Sequence, residues 1–279
     1  MEFFGFTLFG SLTGGSLLAV AAVIFVVGLV LTIKGGDWFV DSASWFAEAT
    51  GIPKFVVGAT VVSFATTLPE LLVSVRAAMN GSAQLAIGNA VGSVTANTTL
   101  IMGVSLVAMA GIVSRKSFSL KGGLLLAAVV GLTLLSLGNS LPTWSAYVLW
   151  AIFLIFMVSN LIEGKKAAAS DEIDSYEKKE IPSKIFFFII GTASIVFGAE
   201  FLVSSGKTIA SGIGISETII GFTVIALGTS LPELVTTLTA IRKKESSLSV
   251  GNIIGANLFN LVLVSGVSIT ISPFNVPTT

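Results

Sequence analysis

The stretch Gly58–Gly103, GATVVSFATTLPELLVSVRAAMNGSAQLAIGNAVGSVTANTTLIMG, returns as Gly221–Gly266, GFTVIALGTSLPELVTTLTAIRKKESSLSVGNIIGANLFNLVLVSG, at a constant offset of 163 and without a gap. Sixteen of the 46 positions are identical. Many of them have chemical or backbone meaning: Thr66-Thr67-Leu68-Pro69-Glu70 answers Thr229-Ser230-Leu231-Pro232-Glu233, Gly88-Asn89 answers Gly251-Asn252, Gly92 answers Gly255, and Asn97 answers Asn260. The likeness extends upstream, with Asp37 opposite Glu200 and Gly51 opposite Gly214. Duplication over this length predicts a two-fold architecture.

Only 11% of the 279 residues are charged and 53% are hydrophobic, with a mean hydropathy of +0.96. A soluble domain could not cover its surface with so few charges. Apolar stretches long enough to cross a hydrocarbon core of roughly 30 Å as helices are expected near 16–34, 54–79, 84–112, 119–139, 143–162, 183–205, 217–241 and 247–271.

The basic residues set the expected orientation, because Lys and Arg of short loops stay cytoplasmic. With the N-terminus outside, 13 of the 15 basic residues fall on inner loops, leaving Arg76 and Lys207 outside. Five spans then precede the second copy, so it enters the membrane the other way up and the repeats are inverted. Residues 1–162 are expected to form the first repeat, 163–182 a cytoplasmic linker of mixed charge, and 183–279 the second repeat. Met1 to Gly15 lacks the basic start and small-residue cleavage site of a signal peptide and reads as an interfacial lead-in.

Cys and His are both absent, which removes disulfides, thiolate chemistry and the usual zinc, copper or haem ligation. A metal ion would have to be held by oxygen. The nearest approach to a phosphate-binding loop, Gly198 to Thr208, has Phe201 where that loop needs Gly. No nucleotide, nucleic acid or resident cofactor is expected, nor enzymatic activity, and the bilayer is the one partner the composition demands.

Glu70 and Glu233 are the acidic residues that lie deep within spans. Counted from about Phe55, Glu70 is roughly 22 Å along its helix, near the bilayer middle. A carboxylate there costs about 2.5–3.5 kcal/mol on the lenient insertion scale and marks an ion or proton site. The proline before each Glu lacks an N–H, frees the carbonyl four residues back, at Ala65 and Gly228, and opens the turn. Hydroxyls surround the same break: Ser63, Thr66, Thr67 and Ser74 in one copy, Thr229, Ser230 and Thr237 in the other. Thr66, Glu70 and Ser74 are spaced by four, which predicts a shared helix face. Asn89, Ser93 and Asn97 form a second polar stripe, answered by Asn252, Ala256 and Asn260. Two carboxylates among amides, hydroxyls and carbonyls suit Ca²⁺, which takes 6–8 oxygen ligands in flexible geometry. Charge matching leaves other divalent ions open. Asp37, Asp41 and Glu200 fall near predicted span ends and are expected at the interface. Gly88 and Gly92 suit close helix packing, and Asn89 and Asn252 suit an interhelical hydrogen bond as well as ion contact.

Taken together, the motif Thr66-Thr67-Leu68-Pro69-Glu70 with Gly88-Asn89-x-x-Gly92-Ser93-x-x-x-Asn97, and its second copy, resembles the paired alpha repeats of the calcium/cation antiporter superfamily, most closely the prokaryotic sodium/calcium exchangers. The resemblance implies an all-α membrane protein, an inverted-repeat transporter of discontinuous transmembrane helices, with ion sites at mid-membrane. It implies that Glu70 and Glu233 bind Ca²⁺ with the Thr66 and Thr229 carbonyls. Thr67, Ser230 and Ser93, with both Glu and the carbonyls of Ser63 and Ala226, would line Na⁺ sites, and Asn97 and Asn260 would border the centre. It further implies exchange of Na⁺ for Ca²⁺ by alternating access, with spans 16–34 and 183–205 sliding over the core. The alternatives are an H⁺/Ca²⁺ exchanger, a cation channel and a Ca²⁺-binding membrane sensor. Asn260 stands where many members carry Asp, which makes K⁺ dependence less expected, and Ala256 stands where Ser is usual. The offset places partners of the fourth and fifth spans at about 282–302 and 306–325, past Thr279. Eight spans against ten are therefore expected, with a truncated second repeat.

Overall fold

The structure is a computed structural model. It describes residues 2–3, 6–7, 14–81, 83–108, 115–137, 140–168, 180–214, 228 and 230–275. Helix accounts for nearly all of them. In chain order they are α1 (Gly14–Thr50), α2 (Lys54–Thr66), α3 (Leu68–Met79), α4 (Ala83–Ala96, continued through Asn97–Ile101 and Met102–Ala108), α5 (Arg115–Ser136), α6 (Thr143–Ala168), α7 (Ile181–Gly212), α8 (Leu231–Arg242) and α9 (Ser246–Leu258, continued through Phe259–Val264 and Ser265–Ile271). Two short antiparallel strand pairs complete the described elements. Glu2–Phe3 joins Phe6–Thr7 in the expected lead-in, and Ser140–Leu141 joins Phe274–Asn275, fastening the α5–α6 turn to the end of α9.

Six of these helices are long and apolar enough to span a membrane, and α2–α3 forms a seventh span bent by 47°. The remaining expected span, 217–241, seventh in chain order, is described only at Gly228 and from Ser230 onward. Several helices outrun their predicted limits. The first continues from 34 to Thr50, the fifth to Ala168 and the sixth to Gly212. The polar residues that suggested span ends are carried as further turns of regular helix, and the expected linker starts after Ala168. Residues 169–179 lie outside the described residues.

The inversion is visible in one seam. α1 and α7 lie antiparallel over most of their length, from Leu18 against Gly212 to Trp45 Nε1, which donates to Glu180 Oε2 at 2.9 Å. At its centre Gly28 meets Gly198 and Gly35 meets Gly191: a Cβ added at either residue of each pair would stand 2.9 Å from the other's carbonyl oxygen. At the offset of 163, Gly28 is the equivalent of Gly191 and Gly35 of Gly198. Equivalent glycines therefore touch crosswise, as a two-fold axis through the middle of the seam requires. Backbones this close exclude any side chain, which is why small residues sit there.

Burial separates lipid-facing helices from the centre. α9 has 83% of its apolar window buried, against 17–28% for the other five unbroken spans. Large apolar side chains such as Val26, Val30, Leu126, Leu154, Ile155, Phe186 and Ile189 face outward from α1, α5, α6 and α7, as helices solvated by hydrocarbon should. Gly58 of α2 lies against the carbonyl of Leu248, and Gly251 and Gly255 of α9 against the carbonyls of Phe55 and Ala59. Backbone contact of this kind holds α2 and α9, one from each half, at the core.

Charged residues gather at one end of the bundle. Asp37 pairs with Arg242, Asp41 with Lys243 at 2.7 Å, and Lys54 with Glu48 at 2.8 Å and Glu245 at 2.7 Å. Asp37 and Asp41, expected near a span end, lie within α1 and tie it to the α8–α9 turn. Lys121 is fully buried, 3.0 Å from Glu163 and over the Phe55 ring.

Candidate ion-binding site

In the first half a helix breaks beside its glutamate, and in the second a helix begins beside the other. α2 ends at Thr66, capped by Thr67, whose ψ is −2°, and α3 begins at Leu68 with Pro69 in its first turn and Glu70 next to it. α8 repeats this with Ser230, Leu231, Pro232 and Glu233. Leu71 N–H donates to the Thr67 carbonyl at 3.0 Å and Leu234 N–H to the Ser230 carbonyl at 3.1 Å, so the two restarts are built alike. Each carboxylate thus stands in the first turn of a helix. In the first half the C-terminal carbonyls of α2 approach from the other side of the break, a disposition that suits cations. The Ser63 carbonyl accepts from Thr67 N–H at 2.9 Å and from Thr66 Oγ1 at 3.3 Å. The break places Thr66 in a different helix from Glu70 and Ser74, so the expected single face is split between α2 and α3, although all three side chains are buried.

Glu70, Glu233, Asn97 and Asn260 all have zero exposure. Thr67 Oγ1 donates to Glu233 Oε1 at 3.3 Å, joining the first half's break to the second half's acid, and the two carboxylates lie close enough to interact electrostatically. Both oxygens of Glu70, Oε2 of Glu233, both amide atoms of Asn97 and Asn260, Ser93 Oγ, Ser230 Oγ, Thr236 Oγ1, Thr237 Oγ1, Asn252 Nδ2 and Asn257 Oδ1 are buried without a hydrogen-bond partner among the described residues. These are 13 of the 16 such atoms in the described structure. Leaving one buried polar group unmade costs about 1–3 kcal/mol, so their concentration in the two repeated motifs marks a candidate cation cradle. Among the described residues no three acidic side chains gather, so the cradle is two carboxylates set in neutral oxygen donors.

Asn97 and Asn260 occupy a feature the sequence does not announce. Both lie in π-helical turns, Asn97–Ile101 and Phe259–Val264. The backbone N–H of Met102 reaches the Asn97 carbonyl, that of Ser265 reaches Asn260, and Ser265 Oγ adds a bond to the Asn260 carbonyl at 3.2 Å. The wider turn rotates each Asn relative to a regular helix; such turns cluster at functional sites. Gly58–Val62 is a third.

Of the expected site residues, Ser63, Thr66, Thr67, Glu70, Ser93, Asn97, Ser230, Glu233 and Asn260 are buried side chains of α2–α4, α8 and α9 and the turn before α8, and the Thr67–Glu233 bond joins the two halves. Ala226 and Thr229 lie outside the described residues. Thr236 and Asn257 were not expected. Their equivalents are Val73 and Val94, so a search for repeated polar residues passes over them. Asn257 Nδ2 donates to Thr98 Oγ1 at 3.0 Å.

The sodium/calcium exchanger protein family matches residues 20–162 and 183–279. The chain belongs to this family. The exchanger is 31% identical to the sodium/calcium exchanger MaX1 of Methanosarcina acetivorans, over 93% of this chain and 85% of that protein. It is 34% identical to the inner membrane protein YrbG of Escherichia coli, over 92% and 81%. Its fold superposes on the sodium-calcium exchanger NCX_Mj, in crystals soaked with Na⁺ and Sr²⁺, with a TM-score of 0.82 at 28% identity, covering 93% of this chain and 85% of that one. The chain is therefore an integral membrane cation antiporter, an all-α inverted-repeat transporter with a broken helix beside Glu70.

Proposed function

We propose that the exchanger moves Ca²⁺ against Na⁺ by alternating access, and that Glu70 and Glu233 form the site the two ions share. The supporting observation is the pair of fully buried carboxylates ringed by unpartnered oxygen donors. Two negative charges balance one Ca²⁺, whose coordination shell accepts amides, hydroxyls and carbonyls in irregular geometry. Asn97 and Asn260 border the centre from their π-turns. Thr67, Ser93 and Ser230, with the Ser63 carbonyl, offer the neutral oxygens that suit Na⁺, and the Thr66 carbonyl serves Ca²⁺ with the two glutamates.

Antiport follows from the cost of an empty site. Moving two uncompensated carboxylates through a dehydrated intermediate is expensive, so the site changes sides only when cations neutralise it. Each ion then has to be replaced by the other. We place the N-terminus outside, on the distribution of basic residues, in the inner membrane of a prokaryotic cell, and divide the repeats at the 163–182 segment.

The test is isotopic Ca²⁺ uptake into proteoliposomes under an outward Na⁺ gradient, a pH gradient, or neither. Uptake driven by Na⁺ alone is expected. Uptake driven by the pH gradient alone would make the protein a proton exchanger, and uptake with neither gradient would make it a channel.

A further inference from the structure

The two halves carry matching side chains beside their carboxylates but do not make matching bonds. In the first half Asn89 of α4 braces α3: its Nδ2 donates to Ser74 Oγ at 3.0 Å and to the Glu70 carbonyl at 3.4 Å, and Ser74 Oγ donates to the Ala86 carbonyl at 3.1 Å. The equivalents of Asn89, Ser74 and Glu70 are Asn252, Thr237 and Glu233. There the brace is open. Asn252 Nδ2 and Thr237 Oγ1 are buried and without a partner among the described residues, and Asn252 Oδ1 instead accepts from Thr66 Oγ1 at 3.3 Å, across the boundary between halves. A second cross-boundary bond shows the same bias: Thr67 Oγ1 donates to Glu233, whereas its equivalent Ser230 Oγ and both oxygens of Glu70 are unpartnered.

Inverted repeats that rock against each other exchange conformations when access changes sides, so one structure shows both forms of the repeated unit. Buried donors and acceptors left open in one form are costly unless another form closes them. We propose that Asn89 and Asn252 are alternating braces. The conformation seen here holds Asn89 on Ser74 and the Glu70 carbonyl, with Asn252 bridged to Thr66. The oppositely facing conformation holds Asn252 on Thr237 and the Glu233 carbonyl, with Asn89 released. Ser74 and Thr237 are then positioning residues: each hydroxyl stabilises one facing state and is idle in the other. The inference rests on the alternating-access reading above.

A ligand binds with an apparent affinity reduced by the fraction of its binding-competent state, so a shifted equilibrium moves the Ca²⁺ KM in opposite directions at the two membrane faces. The experiment measures that KM in right-side-out and everted membrane vesicles for the parent, Ser74→Ala, Thr237→Val and the double variant. Removal of one hydrogen bond should change the ratio of the two KM values by about 3- to 10-fold, with opposite sense for the two single variants. The double variant should return to within about 2-fold of the parent. If Ser74→Ala does not fold, Ser74→Cys, with its weak S–H donor, replaces it with the same expected sense. General damage lowers the maximal rate or weakens both faces alike. Ratios that move the same way in both single variants, or in neither, while the parent transports would overturn the alternating braces and leave antiport standing. A parent without flux would overturn the antiport reading and this inference with it.

Discussion

Glu70 and Glu233 are fully buried between apolar helices, and nothing in the described structure balances their charge. Replacing either with Gln keeps the shape and removes the charge, so two effects should separate. Ca²⁺ uptake should fall to background in Glu70→Gln and in Glu233→Gln, whereas stability to thermal unfolding without Ca²⁺ should rise, by an amount on the order of 2.5–3.5 kcal/mol. The stabilisation that Ca²⁺ gives the parent, which grows with the ratio of ligand concentration to Kd, should be lost in both. A Gln variant that still takes up Ca²⁺ would remove its glutamate from the site. These two residues were legible in the sequence because a lone acid deep in an apolar span is conspicuous and this one occurs twice. Thr236 and Asn257 were not, since only one half carries them.

The breaks and seams matter at the scale of the element. Pro69 and Pro232 stand in the first turn of α3 and α8, and the 47° bend between α2 and α3 brings helix ends to the carboxylate. Pro69→Ala restores a backbone donor and should let the helix straighten; we expect Ca²⁺ uptake reduced by about tenfold or more in proteoliposomes, with the protein still folded by circular dichroism. At the α1–α7 seam there is no room for a side chain. Gly198→Val should destabilise the protein by about 1–3 kcal/mol, the usual range for overpacking, in a detergent thermal melt; an unchanged melt would mean that the seam parts freely. Hydroxyls at the breaks were visible in the sequence, since proline dictates a local effect. The π-turns at Asn97 and Asn260 were not, because nothing in Asn97-Thr-Thr-Leu-Ile101 or Phe259-Asn-Leu-Val-Leu-Val264 marks one extra residue per turn. The extra length of α1, α6 and α7 was hidden for a related reason: polar residues such as Asp37 and Asp41 end an apolar run without ending a helix when ion partners stand opposite.

Two halves related by inversion place one acid from each at a common centre, and the crossed glycine pairs of the seam show the relation directly. The offset of 163 made the duplication legible, but the spacing of Gly28 to Gly35 and Gly191 to Gly198 acquires meaning only once the helices are seen antiparallel. Lys121 shows how the whole molecule tolerates charge: it is fully buried and held by Glu163. Glu163 is 25% exposed, so Glu163→Gln should destabilise the protein by about 1–3 kcal/mol, the cost of leaving a buried donor unpaired, without abolishing Ca²⁺ binding in the fraction that folds; equilibrium unfolding and a binding titration check the two parts. In the proposed mechanism one site, built from both halves, serves both ions. Equilibrium dialysis of the purified protein with isotopic Ca²⁺ tests it most directly. Ca²⁺ should bind at one per chain, be displaced by Na⁺ but not by an equal concentration of choline, and be absent from Glu70→Gln/Glu233→Gln; Ca²⁺ retained by that double variant, or held undiminished against Na⁺, would rule out a shared site.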